Sequence, residues 1–299
     1  MGLEKLFLRK KMRYKKSIFP FYHTVSDQDL PYIRHLYPLK NIDQFQRELD
    51  FFQQHYTSIS LQELIESKNS QEGVRDNCFH LSFDDGLKEC HTIIAPILKE
   101  RGLHATFFIN PNFIDNQAVF YRYKVALLLE KNPSESQRNK LLNLQIHDEP
   151  YIDSLIEQHK ITLSDWDIYM NMNELQDLLD NGFSLGGHSM NHPLYQHLNV
   201  NEQLKESRES VDFIQQNFGL DYRVFSFPFT DFGVKQDFFE NFDAQLTFGT
   251  AGIKDDSVAT NIQRLPMDNC LGNPSYFVLK NVVSYWLKKS IHRETVQHF

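Results

Sequence analysis

Two short stretches carry residues whose types and spacing can do chemistry. The first is Phe79-His80-Leu81-Ser82-Phe83-Asp84-Asp85-Gly86. Its apolar residues Phe79, Leu81 and Phe83 read as a short buried strand that stops at two adjacent carboxylates. Gly86, without a Cβ, lets the backbone turn sharply at positive φ. Like charges that close raise one another's pKa unless a cation or hydrogen bonds compensate, and a metal ion is the simplest compensation. The alternative is a solvated Asp-Gly turn. The second stretch is Phe183-Ser184-Leu185-Gly186-Gly187-His188-Ser189-Met190-Asn191-His192-Pro193, another strand end, which delivers two histidines spaced i, i+4. A helical turn starting at His188 would set both imidazoles on one face, as zinc-binding histidine pairs require. Together the stretches supply one carboxylate and two imidazoles for a metal, with one carboxylate left over.

The pair Ser82-Phe83-Asp84-Asp85-Gly86 and His188-Ser189-Met190-Asn191-His192-Pro193 resembles the first two motifs of the polysaccharide deacetylases, the NodB-homology proteins of carbohydrate esterase family 4. A third stretch, Phe225 to Gly233, resembles more loosely the family's Phe-x-Tyr-Pro-Tyr-Gly variant. The resemblance runs from about Ser17 to Met267. It implies a distorted (β/α)7 barrel of the NodB/glycoside hydrolase-deacetylase type, and removal of an acetyl group from an N-acetylated sugar or polysaccharide precursor. It implies a divalent metal, zinc first, on Asp85, His188 and His192, with Asp84 as general base toward the metal-bound water. The oxyanion would meet the metal and the backbone N–H of Phe229, and the loop's aromatic residues Phe227 and Phe229, flanking Pro228, would shape the sugar groove.

This sequence also departs from the family pattern. Phe and Ser stand where many members carry a base-orienting Arg; Arg264, in Arg264-Leu265-Pro266, is the best substitute. The late Leu-x-His-Asp motif that supplies the general acid is not found, since no His lies between His197 and His292. His23, at the end of the first strand, is the candidate to protonate the leaving amine or bind substrate. Without an acid the alternative is a catalytically weak carbohydrate-binding barrel. An O-acetyl esterase is a further alternative, because the same water and metal serve any acyl carbon.

The elements that must position these residues are legible from periodicity. Ser17 to Tyr22 reads as a strand, with Pro20 favouring an edge or irregular place. Ile42, Phe45, Leu49 and Phe52 fall at helical spacing, predicting a helix over 43–55. A strand at 57–60, a helix at 61–68, a helix over 89–101 and a strand over 104–109 follow. Such alternation argues for a parallel sheet or barrel, whose functional residues gather at strand C-terminal ends. The rhythm breaks at about 116–170, read as a helical insertion that forms a lid, a substrate wall or padding. Helices at 201–218 and 235–242, strands at 222–227, 245–248 and 262–265, and a C-terminal helix at about 273–289 complete a single domain spanning 1–299. Asn273-Pro274 supplies the start signal for that last helix.

The whole chain has 299 residues, 41% hydrophobic and 13% aromatic, and a formal charge of −8, which argues against nucleic-acid binding. Three cysteines, Cys78, Cys90 and Cys270, suit reduced thiols and a cytoplasmic setting rather than a disulfide framework. No signal peptide and no spanning run is visible. The basic stretch Met1 to Lys16 is either a solvated leader or a peripheral membrane contact.

Overall fold

The structure, a computed structural model, describes residues 16–70 and 73–299. Most of the basic N-terminal stretch therefore lies outside the described residues. In chain order the elements begin with strand β1 (Pro20–Tyr22), helix α1 (Ile42–His55), β2 (Thr57–Ser58), α2 (Leu61–Asn69), β3 (Cys78–Phe79) and β4 (Leu81–Phe83). After β4 come a wide turn at Cys90–Ile94, α3 (Ala95–Glu100) and β5 (Ala105–Ile109). The helical segment that follows holds α4 (Tyr121–Leu129), α5 (Glu135–Leu142) and α6 (Glu149–Gln158). Then come α7 (Met172–Asp180), β6 (Ser184–Gly187), α8 (Val200–Phe218), β7 (Val224–Ser226), α9 (Gln236–Asn241) and β8 (Leu246–Gly249). The chain closes with β9 (Asp255–Asp256), β10 (Asn261–Gln263), β11 (Leu265–Pro266), α10 (Pro274–Lys289) and β12 (Thr295–Val296).

The main sheet has eight strands in the order β10-β8-β7-β6-β5-β4-β1-β11, and every pairing is parallel. Its two edges, β10 and β11, are halves of one run interrupted only by Arg264. The first half pairs with β8 through Ile262 opposite Phe248. The second half pairs with β1 through Leu265 opposite Pro20. One run therefore closes the ring, and the eight strands reduce to seven runs of a distorted parallel barrel. Strands buried on both faces read as near-continuous apolar runs, and all five residues of β5 are buried.

Local chemistry explains the boundaries. Asn41 caps α1 and Ser60 with Glu63 forms a capping box on α2. Gly219, at φ 63°, ends α8. The expected helix over 89–101 is instead a π turn followed by a short α-helix. Pro96 cannot donate a backbone bond, and its ring would clash with the carbonyl four residues back; the turn opens so that Ala95 N–H reaches Cys90 O. Pro20 occupies the first residue of an interior strand rather than an edge, a place where the missing N–H is tolerated. The pairing of β12 with β9 has no counterpart in the sequence reading. All three cysteines are buried free thiols.

Helices α4 and α6 build a second apolar core with the loop that follows β1. Tyr32, Ile33, Tyr123, Leu127, Ile152 and Tyr169 are among its buried members. That packing is what brings the segment after β5 over the C-terminal end of the barrel.

Candidate metal and catalytic site

Strand β4 ends at Asp84, and the turn after it holds Asp85 at φ 73° and Gly86 at φ 68°. A non-glycine residue at positive φ is uncommon and clusters at functional sites. Asp85 is held in that conformation, buried, with Tyr123 Oη donating to its Oδ2 at 2.6 Å. A Cβ on Gly86 would lie 3.2 Å from Ile109 Cδ1.

His188 follows β6, and its Nδ1 lies 2.8 Å from Ser226 O. Nδ1 is therefore the protonated nitrogen, which leaves the Nε2 lone pair free. His192 reaches the same point by a route other than a helical turn. Ser189 and His192 both take positive φ, at 62° and 55°. The loop between is fixed by side chains: His192 N–H donates to Ser189 Oγ at 3.0 Å, and Glu206 accepts from the N–H groups of Met190 and Asn191. Phe120 and Phe229 pack against the His192 ring at 4.4 and 4.6 Å between centroids.

Asp85 Oδ1 stands 3.4 Å from His188 Nε2 and 3.2 Å from His192 Nε2. It is buried and accepts no hydrogen bond. One carboxylate oxygen and two imidazole nitrogens thus converge within 4.8 Å of one another. A buried carboxylate oxygen without a donor is costly, and a cation would satisfy all three atoms at once. The donor set, two His and one Asp with room for further ligands, suits a catalytic divalent metal such as zinc. The imidazole of His188 has the outer partner that metal-ligating histidines need.

Asp84 is buried and held from the run that closes the ring, which only β1 separates from β4. Arg264 Nη1 donates to its Oδ1 at 2.8 Å and Nη2 to its Oδ2 at 2.7 Å. The same guanidinium donates to Ser82 Oγ at 3.0 Å and Ser226 Oγ at 2.6 Å. Arg264 is completely buried, its guanidinium over the ring of Phe21 at 4.3 Å. Burial alone would raise the Asp84 pKa; the charge and hydrogen bonds of Arg264 outweigh it and hold the carboxyl below its usual value.

His23 follows β1 and faces the same space. Its Nδ1 lies 2.6 Å from Asp268 Oδ2, and the imidazole remains 26% exposed. Burial works to lower the His23 pKa. The hydrogen bond and charge of Asp268, with Asp85 and Asp84 beyond, overcome it and raise the group to about 9.

A cavity of about 270 Å³ opens on these groups. Asp84, Asp85, His23 and His192 form its polar side, while Phe21, Tyr37, Phe120, Tyr123 and Phe229 give it aromatic walls, with Arg122 at the rim. A larger cleft, about 570 Å³, lies between the residues that precede β1 and the C-terminal end of α10, among Lys16, Lys68, Trp286 and Lys289. It shares none of the convergent ligands.

The structure brings Asp84, Asp85, His23, His188, His192, Arg264 and Phe229 together. Phe227 is not with them. It is fully buried against Tyr195, Phe225 and Phe238, so it packs the layer between sheet and helices instead of a groove. The reason is strand parity. Ser226 points into the barrel toward Arg264, so its neighbours Phe225 and Phe227 point out. Pro228 does not line the cavity; it sets the turn that presents Phe229, whose own φ is 58°. Asp268 and Tyr123 were missed by the sequence reading. Asp268 follows the last barrel strand, so the rule that functional groups gather at strand C-terminal ends would have found it. Tyr123 carries no local signal, because only the packing of α4 aims it at Asp85.

A second cluster, Asp231, Asp256 and His298, lies near the chain's C-terminus. Its carboxylates already have donors: Asn261 Nδ2 reaches Asp231 at 2.9 Å and Asp256 at 3.0 Å, and Gln263 Nε2 reaches Asp256 at 2.8 Å. His298 Nε2 adds a contact to Asp256 at 3.2 Å. The cluster is a satisfied structural network tying the tail to β10.

A family model described as polysaccharide deacetylase matches residues 71–237. Among curated proteins, none matches the chain. Among the solved structures that share the fold are the following three. A Streptococcus pyogenes deacetylase, PplD, in complex with acetate superposes with a TM-score of 0.60 at 14% identity, over 89% of this chain and 98% of that one. IcaB from Ammonifex degensii gives 0.59 at 15%, over 89% and 95%. A de-N-acetylase from Aggregatibacter actinomycetemcomitans gives 0.60 at 17%, over 89% and 99%.

Proposed function

We propose that this chain, which belongs to the polysaccharide deacetylase family, is a metal-dependent hydrolase that removes the acetyl group from an N-acetylated sugar. The observation that carries the reading is the convergence of Asp85 Oδ1, His188 Nε2 and His192 Nε2 beside an Asp84 clamped by Arg264, at the floor of an open cavity.

A divalent cation held by Asp85, His188 and His192 would lower the pKa of a water and polarise the acyl oxygen. The protein's own groups do the rest. Asp84, kept ionised by Arg264, accepts the proton from the attacking water. Its lowered pKa makes it a weaker base, and the fork of Arg264 compensates by fixing its direction. The main-chain N–H of Phe229, by resemblance to the family, is placed as a donor to the developing oxyanion. His23, protonated at neutral pH through Asp268, donates a proton to the departing nitrogen.

That last group favours amide over ester hydrolysis. An amine leaves only when protonated, whereas an alkoxide leaves more readily, and the site keeps a charged imidazole for the purpose. The cavity volume, with Phe120, Tyr37 and Phe229 as walls, suits a single sugar ring held against aromatic faces. Phe120, Arg122 and Tyr123 come from the helical segment over about 116–170, which serves as a substrate wall.

The test is acetate release from N-acetylated oligosaccharides and from O-acetylated analogues, with the parent and Asp84→Asn. Release from the N-acetylated series, reduced by about 10²–10⁴-fold in Asp84→Asn, is expected. Release from the O-acetylated series alone would make the chain an esterase.

A further inference from the structure

Helix α10 packs inward through Val278, Val282 and Tyr285. Its outer face is unusually apolar. Tyr276 (65%), Val283 (46%) and Leu287 (64%) are exposed one above another at helical spacing, with Trp286 (48%) at their edge and Ile291 (59%) just beyond the end. Leu271, ahead of the helix, is exposed as well. Scattered exposed apolar residues are ordinary, but a contiguous row marks an interaction surface.

The charges around the row identify the partner. From Asn269 to Arg293 the sequence has Lys280, Lys288, Lys289 and Arg293 and no carboxylate, in a chain whose formal charge is −8. Lys280 stands within the apolar row, between Tyr276 and Val283. The other basic stretch of the chain, ending Arg13-Tyr14-Lys15-Lys16, enters the described structure beside the same helix: Lys16 Nζ sits 4.0 Å from the ring centroid of Tyr285. Trp and Tyr flanked by lysines on an apolar helix face is the composition of a helix that lies in a lipid headgroup layer. Among the described residues no helix is long and apolar enough to cross a membrane. A second copy is disfavoured, because a two-fold interface sets the same patch against itself and would bring Lys280 and its neighbours together.

We propose that the exposed face of α10, built from Tyr276, Lys280, Val283, Trp286, Leu287 and Ile291, docks the protein on an anionic membrane surface. The apolar row enters the headgroup boundary, and the lysines meet anionic lipid. The helix begins shortly after Asp268, the partner of His23, and runs away from the cavity, so that Trp286 and Lys289 lie beside the residues that precede β1. The proposal is independent of the hydrolytic reading, since lipid binding is read without turnover.

The test is co-sedimentation of the full chain with phosphatidylcholine vesicles and with mixed phosphatidylcholine–phosphatidylglycerol vesicles. Emission is followed in a Trp166→Phe background, where Trp286 is the remaining tryptophan, there being 2 in the chain. Binding to the mixed vesicles alone, weakened by salt and blue-shifting Trp286, is expected. Leu287→Asp and Lys280→Glu/Lys289→Glu, all at exposed positions, should each weaken it by at least about tenfold while acetate release from a soluble substrate stays unchanged. No binding to mixed vesicles would overturn the proposal. So would binding that survives both variants, which would assign it to the N-terminal basic stretch. A parent that is dimeric in solution and becomes monomeric in Leu287→Asp would also overturn it, in favour of a second copy.

Discussion

Arg264 and Asp84, 180 residues apart in sequence, meet through two parallel hydrogen bonds of 2.8 and 2.7 Å inside the barrel. The contact is possible because Arg264 sits at the break between β10 and β11, where the run that closes the ring changes its pairing partner. Ring closure and the orientation of the candidate base are thus one structural event.

Replacing Arg264 should therefore disturb both. Arg264→Ala leaves a buried, ionised Asp84 without its partner and should destabilise the fold by about 3–5 kcal/mol, read by urea unfolding. Arg264→Lys keeps the charge but loses the fork. It should fold, with kcat down about a hundredfold and KM little changed, as expected for a misaimed catalytic group.

The His23–Asp268 pair predicts the alkaline limit of activity. The folded pKa is raised from 6.5 to about 9, so His23, the proposed proton donor, is charged up to about pH 9 and activity should fall above it. Asp268→Asn removes the main raising influence and should move that limb of the kcat/KM profile downward by pH units. The same sign holds for stability. The contribution of the pair is fully present below the unfolded value and is lost as pH rises through about 9, a trend that thermal melts of parent and variant would separate.

Tyr123 donates its hydroxyl to Asp85, the proposed metal ligand. Tyr123→Phe should leave the fold intact and lower metal affinity by about 10–100-fold, measured by competition with a chelator of known affinity. An unchanged affinity would reduce Tyr123 to a wall residue.

Gly86 should not tolerate a side chain. At φ 68°, with Ile109 Cδ1 3.2 Å from a built Cβ, Gly86→Ala should cost about 1–2 kcal/mol by backbone strain alone. It should also displace Asp85, so metal content should fall along with stability.

Much of the site was legible because its key groups are local. Asp84, Asp85 and Gly86 are consecutive, His188 and His192 are four apart, and both stretches end strands that apolar patterning reveals. The alternation of strands and helices pointed to a parallel sheet or barrel, and the family resemblance to the barrel itself and to Arg264 just after the last strand. What stayed hidden depends on tertiary packing or on finer local detail. The loop from Ser189 to His192 turns on left-handed residues capped by Ser189 and Glu206, which residue spacing alone does not encode. Phe227 was misplaced because its aromatic character outweighed strand parity, although Ser226 beside it faces the site. Tyr123 arrives from a helix whose direction is set by a separate apolar core. His298, near the end of the sequence, has no local pattern that marks it as buried, yet it is buried against Asp256.

Asp85, His188 and His192 are proposed as a three-ligand centre beside an independent base, Asp84, and metal content by inductively coupled plasma mass spectrometry reads that centre without turnover. The parent and Asp84→Asn should each carry about one equivalent of a divalent metal, with zinc expected first, while Asp85→Ala and His188→Ala should carry almost none. A parent that stays empty after incubation with zinc, or an Asp85→Ala variant that keeps its full complement, would contradict it.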